Sequence, residues 1–83
     1  MQFACEIIIS PRSDILDPEG DAIGRSLARL HFEGASEVRV GKYMTLQLEA
    51  DSADAARARI NEMCKALLVN PITEDYEVSV NQL

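Results

Sequence analysis

The stretch from Ser36 to Ala50, SEVRVGKYMTLQLEA, decides how the strands of this chain are arranged. Its aliphatic residues all lie at even positions: Val38, Val40, Met44, Leu46 and Leu48. A two-residue hairpin turn at Gly41-Lys42 would place Val40 opposite Tyr43, and the apolar residues of the two halves would then face opposite sides. The pattern therefore excludes a tight hairpin. It favours one long strand bent near Gly41, with a hairpin closed by a three-residue loop as the alternative.

Two further segments alternate between apolar and polar residues, as strands do. One apolar face is formed in residues 2–9 by Phe3, Cys5, Ile7 and Ile9, and in residues 74–80 by Tyr76, Val78 and Val80. Ser10-Pro11 ends the first pattern, because proline has no N–H to donate to a neighbouring strand. Each segment is therefore predicted to be a strand that buries one face.

Two amphipathic helices are predicted between the strands. The first begins after the N-cap Asp17, ends near Gly34, and has an apolar stripe of Ile23, Leu27 and Leu30. The second begins after Asp51-Ser52, ends before Asn70-Pro71, and has an apolar stripe of Ala53, Ala56, Ile60, Met63, Cys64 and Leu67. The order β-α-β(long, bent)-α-β predicts a two-layer α+β sandwich, a mostly antiparallel sheet with two helices on one face.

Size and charge restrict the classes of protein to which the chain can belong. Its 83 residues predict a single domain, residues 1–83, and so small a core favours oligomerisation. A net charge of -6 disfavours binding to nucleic acids and to anionic membranes. The sequence shows no secretion signal, and its cysteines Cys5 and Cys64 form no paired motif, so a cytoplasmic protein with reduced thiols is expected.

No combination of side chains predicts a catalytic, cofactor or metal site. His31 is the only histidine and has no partner at ligand spacing, which favours a surface or capping role. Cys5 and Cys64 lie on apolar faces, where cysteine behaves as a small hydrophobic residue. The acidic residues around Asp17 fit the start of a helix better than a calcium loop.

The segment Arg39-Val40-Gly41-Lys42-Tyr43 places two cations and an aromatic ring close together. Outward charges can protect a strand edge from aggregation, and arginine and tyrosine are enriched at interface hot spots. Arg39, Lys42 and Tyr43 are therefore candidates for a subunit-contact patch. Asn70-Pro71, in the loop after the second helix, adds two further candidates.

Four segments of the chain resemble the PurS family of phosphoribosylformylglycinamidine (FGAM) synthase subunits. In order, they are Asp17–Gly20, Val38–Tyr43, Met63–Pro71 and Glu74–Val78. Their order and spacing agree with the family, and the resemblance spans nearly the whole chain.

The resemblance implies a non-catalytic subunit of a glutamine-dependent, ATP-consuming ligase complex in de novo purine biosynthesis. In such complexes a glutaminase subunit releases ammonia, and a synthetase subunit that uses ATP and magnesium adds it to formylglycinamide ribonucleotide. The small subunit forms a homodimer or tetramer, bridges the other two and aids ammonia transfer. By this resemblance the chain itself would hold no cofactor.

The residues alone leave three other functions open. A small dimeric ligand-binding regulatory module is the main alternative, since such two-layer domains often bind amino acids at a dimer interface. An acylphosphatase-like enzyme would need a glycine-rich loop and an arginine, and the loop after the first strand has Arg12 but also Pro11, which offers no amide. A dimeric interaction protein unrelated to purines is the third.

Overall fold

The computed structural model describes all residues from Met1 to Leu83. Its elements are β1 (Gln2–Pro11), α1 (Pro18–Arg29), β2 (Lys42–Glu49), α2 (Ala53–Met63) and β3 (Glu74–Gln82). β1 is the central strand and pairs antiparallel with both β2 and β3. The predicted α+β class is therefore confirmed, and the sheet is antiparallel throughout. No helix is long and apolar enough to cross a membrane.

The strand register gives the sheet two unlike faces. The inner face carries the buried side chains of β1, namely Phe3, Cys5, Ile7 and Ile9, with Met44, Leu46, Leu48, Val78 and Val80 opposite them on the neighbouring strands. The outer face carries the alternate residues: Gln2, Ala4, Glu6, Ile8, Ser10, Tyr43, Thr45, Gln47, Glu49, Asp75, Glu77, Ser79 and Asn81. The inner face therefore holds the core, and no helix covers the outer face.

α2 covers the part of the inner face that β1 and β3 form. Its residues Ala56 and Ile60 are fully buried against the strands, together with Cys64 just after it. α2 makes no extensive contact with β2, so the apolar side chains of β2 are only half-buried. One half of the inner face is thus left partly open.

A π-helical turn, Cys64–Leu68, follows α2 and changes which residues face the core. A π turn holds more residues than an α-helical turn, so the side chains fall out of step with the 3.6-residue period. Leu67, predicted on the buried stripe, is 83% exposed, whereas Leu68 is half-buried and Val69 is buried. The stripe prediction is correct for Ala56, Ile60 and Cys64 and wrong for Ala53 and Leu67, which are exposed.

α1 does not pack on the sheet. It makes no extensive contact with a strand or with α2, and Ile23 and Leu30 of its apolar stripe are 41% and 65% exposed. The molecule measures 51 × 26 × 14 Å with a radius of gyration of 16.5 Å, where a compact domain of this length has about 12 Å. Only α2 therefore covers the sheet within one chain. Residues 17–41, α1 and the segment that returns to β2, form an arm.

β2 is shorter than the long bent strand predicted over residues 36–50, and no hairpin forms there. Before Lys42 the backbone turns to other partners, because the N–H of Val40 donates to Asp17 Oδ2 at 2.8 Å. Glu37 has a φ of 54°, in the left-handed region that interrupts an extended strand. Gly41 passes so close to β1 that a Cβ there would lie 2.4 Å from the Ile9 carbonyl oxygen. The prediction of one strand is correct, and its predicted length is wrong.

Candidate functional site

Arg12, just after β1, joins the loops at one end of the sheet. Its backbone N–H donates to the Thr73 carbonyl oxygen at 2.9 Å, and its Nη2 donates to the Pro71 carbonyl oxygen at 2.6 Å. Its Nε lies 3.5 Å from Asp75 Oδ1. One side chain therefore ties β1 to the α2–β3 loop. Sequence reasoning missed this role, because every residue has a backbone carbonyl and the sequence does not indicate which one an arginine will bind.

Arg39 is held by the loop between β1 and α1. Its Nη2 donates to the carbonyl oxygens of Ile15, at 2.9 Å, and of Arg12. These bonds fix the returning segment of the arm to the loop that precedes α1. The side chain is exposed, yet its donors on this nitrogen are engaged within the chain.

Asp17 fastens the base of the arm from the other side. Its Oδ1 accepts from the Gly20 N–H at 3.0 Å, as an N-cap does, while its Oδ2 accepts from the Val40 N–H at 2.8 Å. These hydrogen bonds hold the pKa of Asp17 below its usual value, the bond from Gly20 having the largest effect. One carboxylate thus caps α1 and orders the segment before β2.

Glu74, the first residue of β3, brings Lys42 and Asn70 together. Its Oε1 accepts from the Asn70 N–H at 2.8 Å, and its Oε2 lies 3.5 Å from Lys42 Nζ. The Asn70 side chain accepts from the Ile72 N–H at 3.0 Å, which forms a turn around Pro71. Arg39, Lys42, Asn70 and Pro71 therefore lie around one end of the sheet, joined by Arg12 and Glu74. These six residues are called the loop end below.

Tyr43 lies apart from the other candidates, on the outer face of the sheet. It is 63% exposed, and the neighbouring Glu6 carboxylate raises the pKa of Tyr43. Lys42, its neighbour in β2, points to the inner face, as alternation along a strand requires. The three residues predicted as one patch thus occupy two surfaces. Their role in subunit contact stays a prediction.

A cleft of about 470 Å³ lies beside the loop end. Its lining includes the cations Arg12 and Lys65 and the carboxylates Glu74 and Asp75. No cluster of three or more His, Cys, Asp or Glu side chains has the geometry to hold a metal ion. Cys64 lines the cleft, but burial raises the pKa of its thiol, which disfavours the reactive thiolate.

Comparison with known proteins agrees with this architecture over its full length. The family model PurS, described as phosphoribosylformylglycinamidine (FGAM) synthase, matches residues 4–82. A relative from Synechocystis, phosphoribosylformylglycinamidine synthase subunit PurS, is 37% identical over 81 residues, which are 98% of this chain and 81% of the relative.

Solved structures show the same fold. PurS of Methanocaldococcus jannaschii, described as one of the subunits of formylglycinamide ribonucleotide amidotransferase, superposes with a TM-score of 0.86 at 32% identity, over 98% of both chains. A chain of the PurLQS structure from Thermotoga maritima gives a TM-score of 0.88 at 34% identity, over 96% of this chain and 98% of that one. Sequence, fold and length agree, and the chain belongs to the PurS family of FGAM synthase subunits.

Proposed function

We propose that this chain is the non-catalytic coupling subunit of an FGAM synthase in purine biosynthesis. It bridges a glutaminase subunit and a synthetase subunit and aids the transfer of ammonia from one to the other. The observation that carries the proposal is the full-length match to the PurS chain of a PurLQS structure, which pairs this fold with two further subunits in Thermotoga maritima.

The loop end supports a scaffolding role. The guanidinium groups of Arg12 and Arg39 donate to backbone carbonyls of this chain, and Glu74 accepts from a backbone N–H beside its ion pair with Lys42. These charged groups stabilise loops that would otherwise be free to move. A rigid end of this kind suits a subunit that holds two others at a fixed spacing.

A second copy of the chain would cover the apolar surface that one copy leaves exposed. The apolar residues of α1 are exposed, and the β2 half of the inner face lacks a covering helix. Burial of apolar surface stabilises by about 25 cal/mol per Å², so each copy gains by placing its arm over the β2 half of the other. The proposed functional unit is therefore a homodimer, with a tetramer of two such dimers as the alternative.

The edge of β2 offers the second copy a further contact. The N–H of Ala50 donates to the Met1 carbonyl oxygen, and this pairing fixes the alternation along β2. The N–H and C=O groups of Tyr43, Thr45 and Gln47 consequently point to the free edge. Antiparallel pairing of two such edges would satisfy them and give one continuous sheet.

The cytoplasm is the proposed location. Cys5 and Cys64 are free and buried, as is usual for proteins kept in a reducing compartment. A chain fused to a fluorescent protein should accordingly distribute through the cytoplasm, and accumulation in another compartment would contradict this location.

The cleft beside the loop end is compatible with one alternative function, that of a small dimeric ligand-binding regulatory module. Its cations and carboxylates could bind the two charges of an amino acid. Calorimetry of the isolated chain with glutamine and other amino acids tests this alternative. Binding at micromolar concentrations would favour the regulatory module over the coupling subunit.

Reconstitution tests the coupling function directly. The purified chain is mixed with the glutaminase and synthetase subunits of the same organism, with glutamine, ATP and magnesium present. We expect amidine formation from glutamine to require the chain, and amidine formation from added ammonia to proceed without it. If the chain neither joins the complex nor changes the glutamine-dependent rate, the coupling function is wrong.

A further inference from the structure

The outer face of the sheet carries carboxylates and no basic side chain. Its acidic residues are Glu6, Glu49, Asp75 and Glu77, and none of its positions is a lysine, arginine or histidine. The whole chain has 8 lysines and arginines, all of which lie elsewhere. The charge of this face is therefore of one sign.

Two of the four carboxylates are neutralised within the chain, and two are not. The N-terminal ammonium lies 2.7 Å from Glu49 Oε1, and Arg12 Nε lies 3.5 Å from Asp75 Oδ1. Glu6 and Glu77 form no ion pair. The uncompensated charge is thus concentrated at these two residues.

Glu6 and Glu77 border an exposed apolar surface at the centre of the sheet. Tyr43, Ile8 and Glu77 lie side by side across the three strands, and Glu6 is two residues from Ile8 on β1. Opposite residues on one sheet face are about 5 Å apart at Cβ, so these four side chains form one surface, called the acidic patch. Ile8 is 48% exposed although it lies on the central strand.

We propose that the acidic patch docks an arginine-bearing basic surface of a partner subunit of the synthase, which rests on the coupling function proposed above. A guanidinium group stacks on a tyrosine ring, and its planar set of donors suits two carboxylates. The aliphatic part of an arginine would cover Ile8. Aromatic ring, aliphatic surface and paired carboxylates lie together only on this part of the outer face.

A second copy of this chain is a poor occupant of the acidic patch. Two outer faces placed together would oppose carboxylates to carboxylates, which is unfavourable. The proposed dimer uses the arm, the β2 half of the inner face and the β2 edge, and none of these is part of the outer face. Dimerisation therefore leaves the acidic patch free on both copies for a different subunit.

The test compares two double variants of equal net charge in the reconstituted enzyme. Glu6→Gln with Glu77→Gln neutralises the acidic patch, and Asp14→Asn with Glu62→Gln neutralises two exposed carboxylates that lie outside the outer face and outside the arm. The measured quantity is the concentration of this chain that gives half-maximal glutamine-dependent activity, at low and at moderate salt. Circular dichroism confirms that both variants fold.

We expect the acidic-patch variant to need about fivefold more chain for half-maximal activity and to depend less on salt, because fewer charge pairs form. The control variant should stay within about twofold of the wild type. Equal behaviour of the two double variants would overturn the docking proposal while the wild-type activity keeps the coupling function intact. If the wild type itself leaves glutamine-dependent activity unchanged, the coupling function fails, and this docking proposal fails with it.

Substitution of Tyr43 gives a second measurement with its own control. Tyr43→Phe keeps the aromatic ring and removes only the hydroxyl, whereas Tyr43→Ala removes the ring. We expect Tyr43→Ala to raise the half-maximal concentration about tenfold and Tyr43→Phe to raise it less than threefold. An equal effect of the two substitutions would show that no group stacks on the ring, which overturns the arginine as the occupant.

Discussion

His31 occupies a backbone conformation that suits glycine. Its φ is 69°, and it follows the C-cap of α1, where its N–H donates to the Ala28 carbonyl oxygen and the N–H of Phe32 to that of Leu27. This pair of bonds is the Schellman arrangement, in which the left-handed residue is most often glycine. The sequence predicted that α1 stops near Gly34, but the left-handed position comes three residues earlier.

His31→Gly should therefore stabilise the end of α1. Glycine avoids the Cβ strain of the left-handed region, which exceeds its own entropic cost. We expect the backbone amides in the last turn of α1 to exchange with solvent about threefold more slowly, measured by hydrogen exchange and NMR. His31→Ala is the control and should bring no protection, since alanine retains the Cβ.

Asp17→Asn should weaken the base of the arm in a pH-dependent way. Because the folded-state pKa of Asp17 is lowered, the ionised carboxylate stabilises the fold above its unfolded-state pKa, which is near 3.8, the ordinary value for aspartate. This contribution is lost as the pH falls below 3.8 through the folded-state pKa. The difference in unfolding free energy between wild type and Asp17→Asn, from urea titrations, should shrink over that range. A difference that grows on acidification would contradict the assignment.

At the scale of single residues, the sequence predicted the local role of a side chain better than its contacts with residues far away in the chain. Asp17 was correctly identified as an N-cap, because its role depends on neighbours three residues away. Its second bond, to Val40, joins residues far apart in sequence and follows no local pattern. Arg39 was singled out as a subunit-contact candidate, which stays a prediction, while its partners within the chain, the carbonyl oxygens of Arg12 and Ile15, could be found only from the fold.

At the scale of elements, two glycines of α1 differ sharply in their surroundings. A Cβ at Gly20 would lie 2.1 Å from the Val38 carbonyl oxygen, whereas a Cβ at Gly24 would meet only the Val38 side chain, at 3.7 Å. Gly20→Ala should therefore destabilise by about 1–3 kcal/mol, because backbone must move. Gly24→Ala should stabilise by about 1 kcal/mol, as alanine does inside a helix.

Thermal and urea unfolding of both glycine variants measure this contrast. The two substitutions add the same methyl group to the same helix, so each is the control for the other. If both changes shift stability in the same direction, the close approach of α1 to residue 38 is not what makes glycine necessary at position 20.

The positions of the strands and helices could be predicted from the periodicity of the sequence, but the residues at which they end could not. The alternation of β1 and β3 predicted their buried faces correctly, because a two-residue period leaves little choice of face. The π turn after α2 displaced Leu67 because hydrogen bonding in a helix changes locally without a change in composition. β1 extends to Pro11, beyond the predicted end, because β2 begins opposite Ile9 and the nitrogen of Pro11 therefore faces no strand that would need its N–H.

At the scale of the whole molecule, an amphipathic pattern shows that a helix needs a partner but not which chain supplies it. The stripe of α1 predicted packing on the sheet of the same chain, and the structure instead extends α1 away from it. A compact arrangement was the natural expectation from one sequence. Arg39 ties the base of the arm to Arg12 of the loop end, and Asp17 joins the two sides of that base, so the arm is not directed to the inner face.

The proposed homodimer predicts the effect of a charge on the arm. Leu30→Asp places a carboxylate on the apolar stripe of α1, which would have to be buried in the dimer. We expect sedimentation at micromolar concentrations to give a monomer for Leu30→Asp and a dimer for the wild type. Leu67→Asp, at a position 83% exposed on the π turn, is the control and should remain dimeric.

Arg57 on α2 makes the two margins of the sheet unequal. The N–H of Leu83 donates to the Gln2 carbonyl oxygen, and that register directs the Val78 carbonyl away from β1, where Arg57 Nη1 donates to it at 3.1 Å. The β3 margin is therefore shielded by a cation, while the β2 margin is bare. A sheet that can extend on one side only stops growing once two copies have met. Polymerisation into fibres is thereby disfavoured. Arg57→Ala would remove the cation from the β3 margin and make polymerisation more favourable.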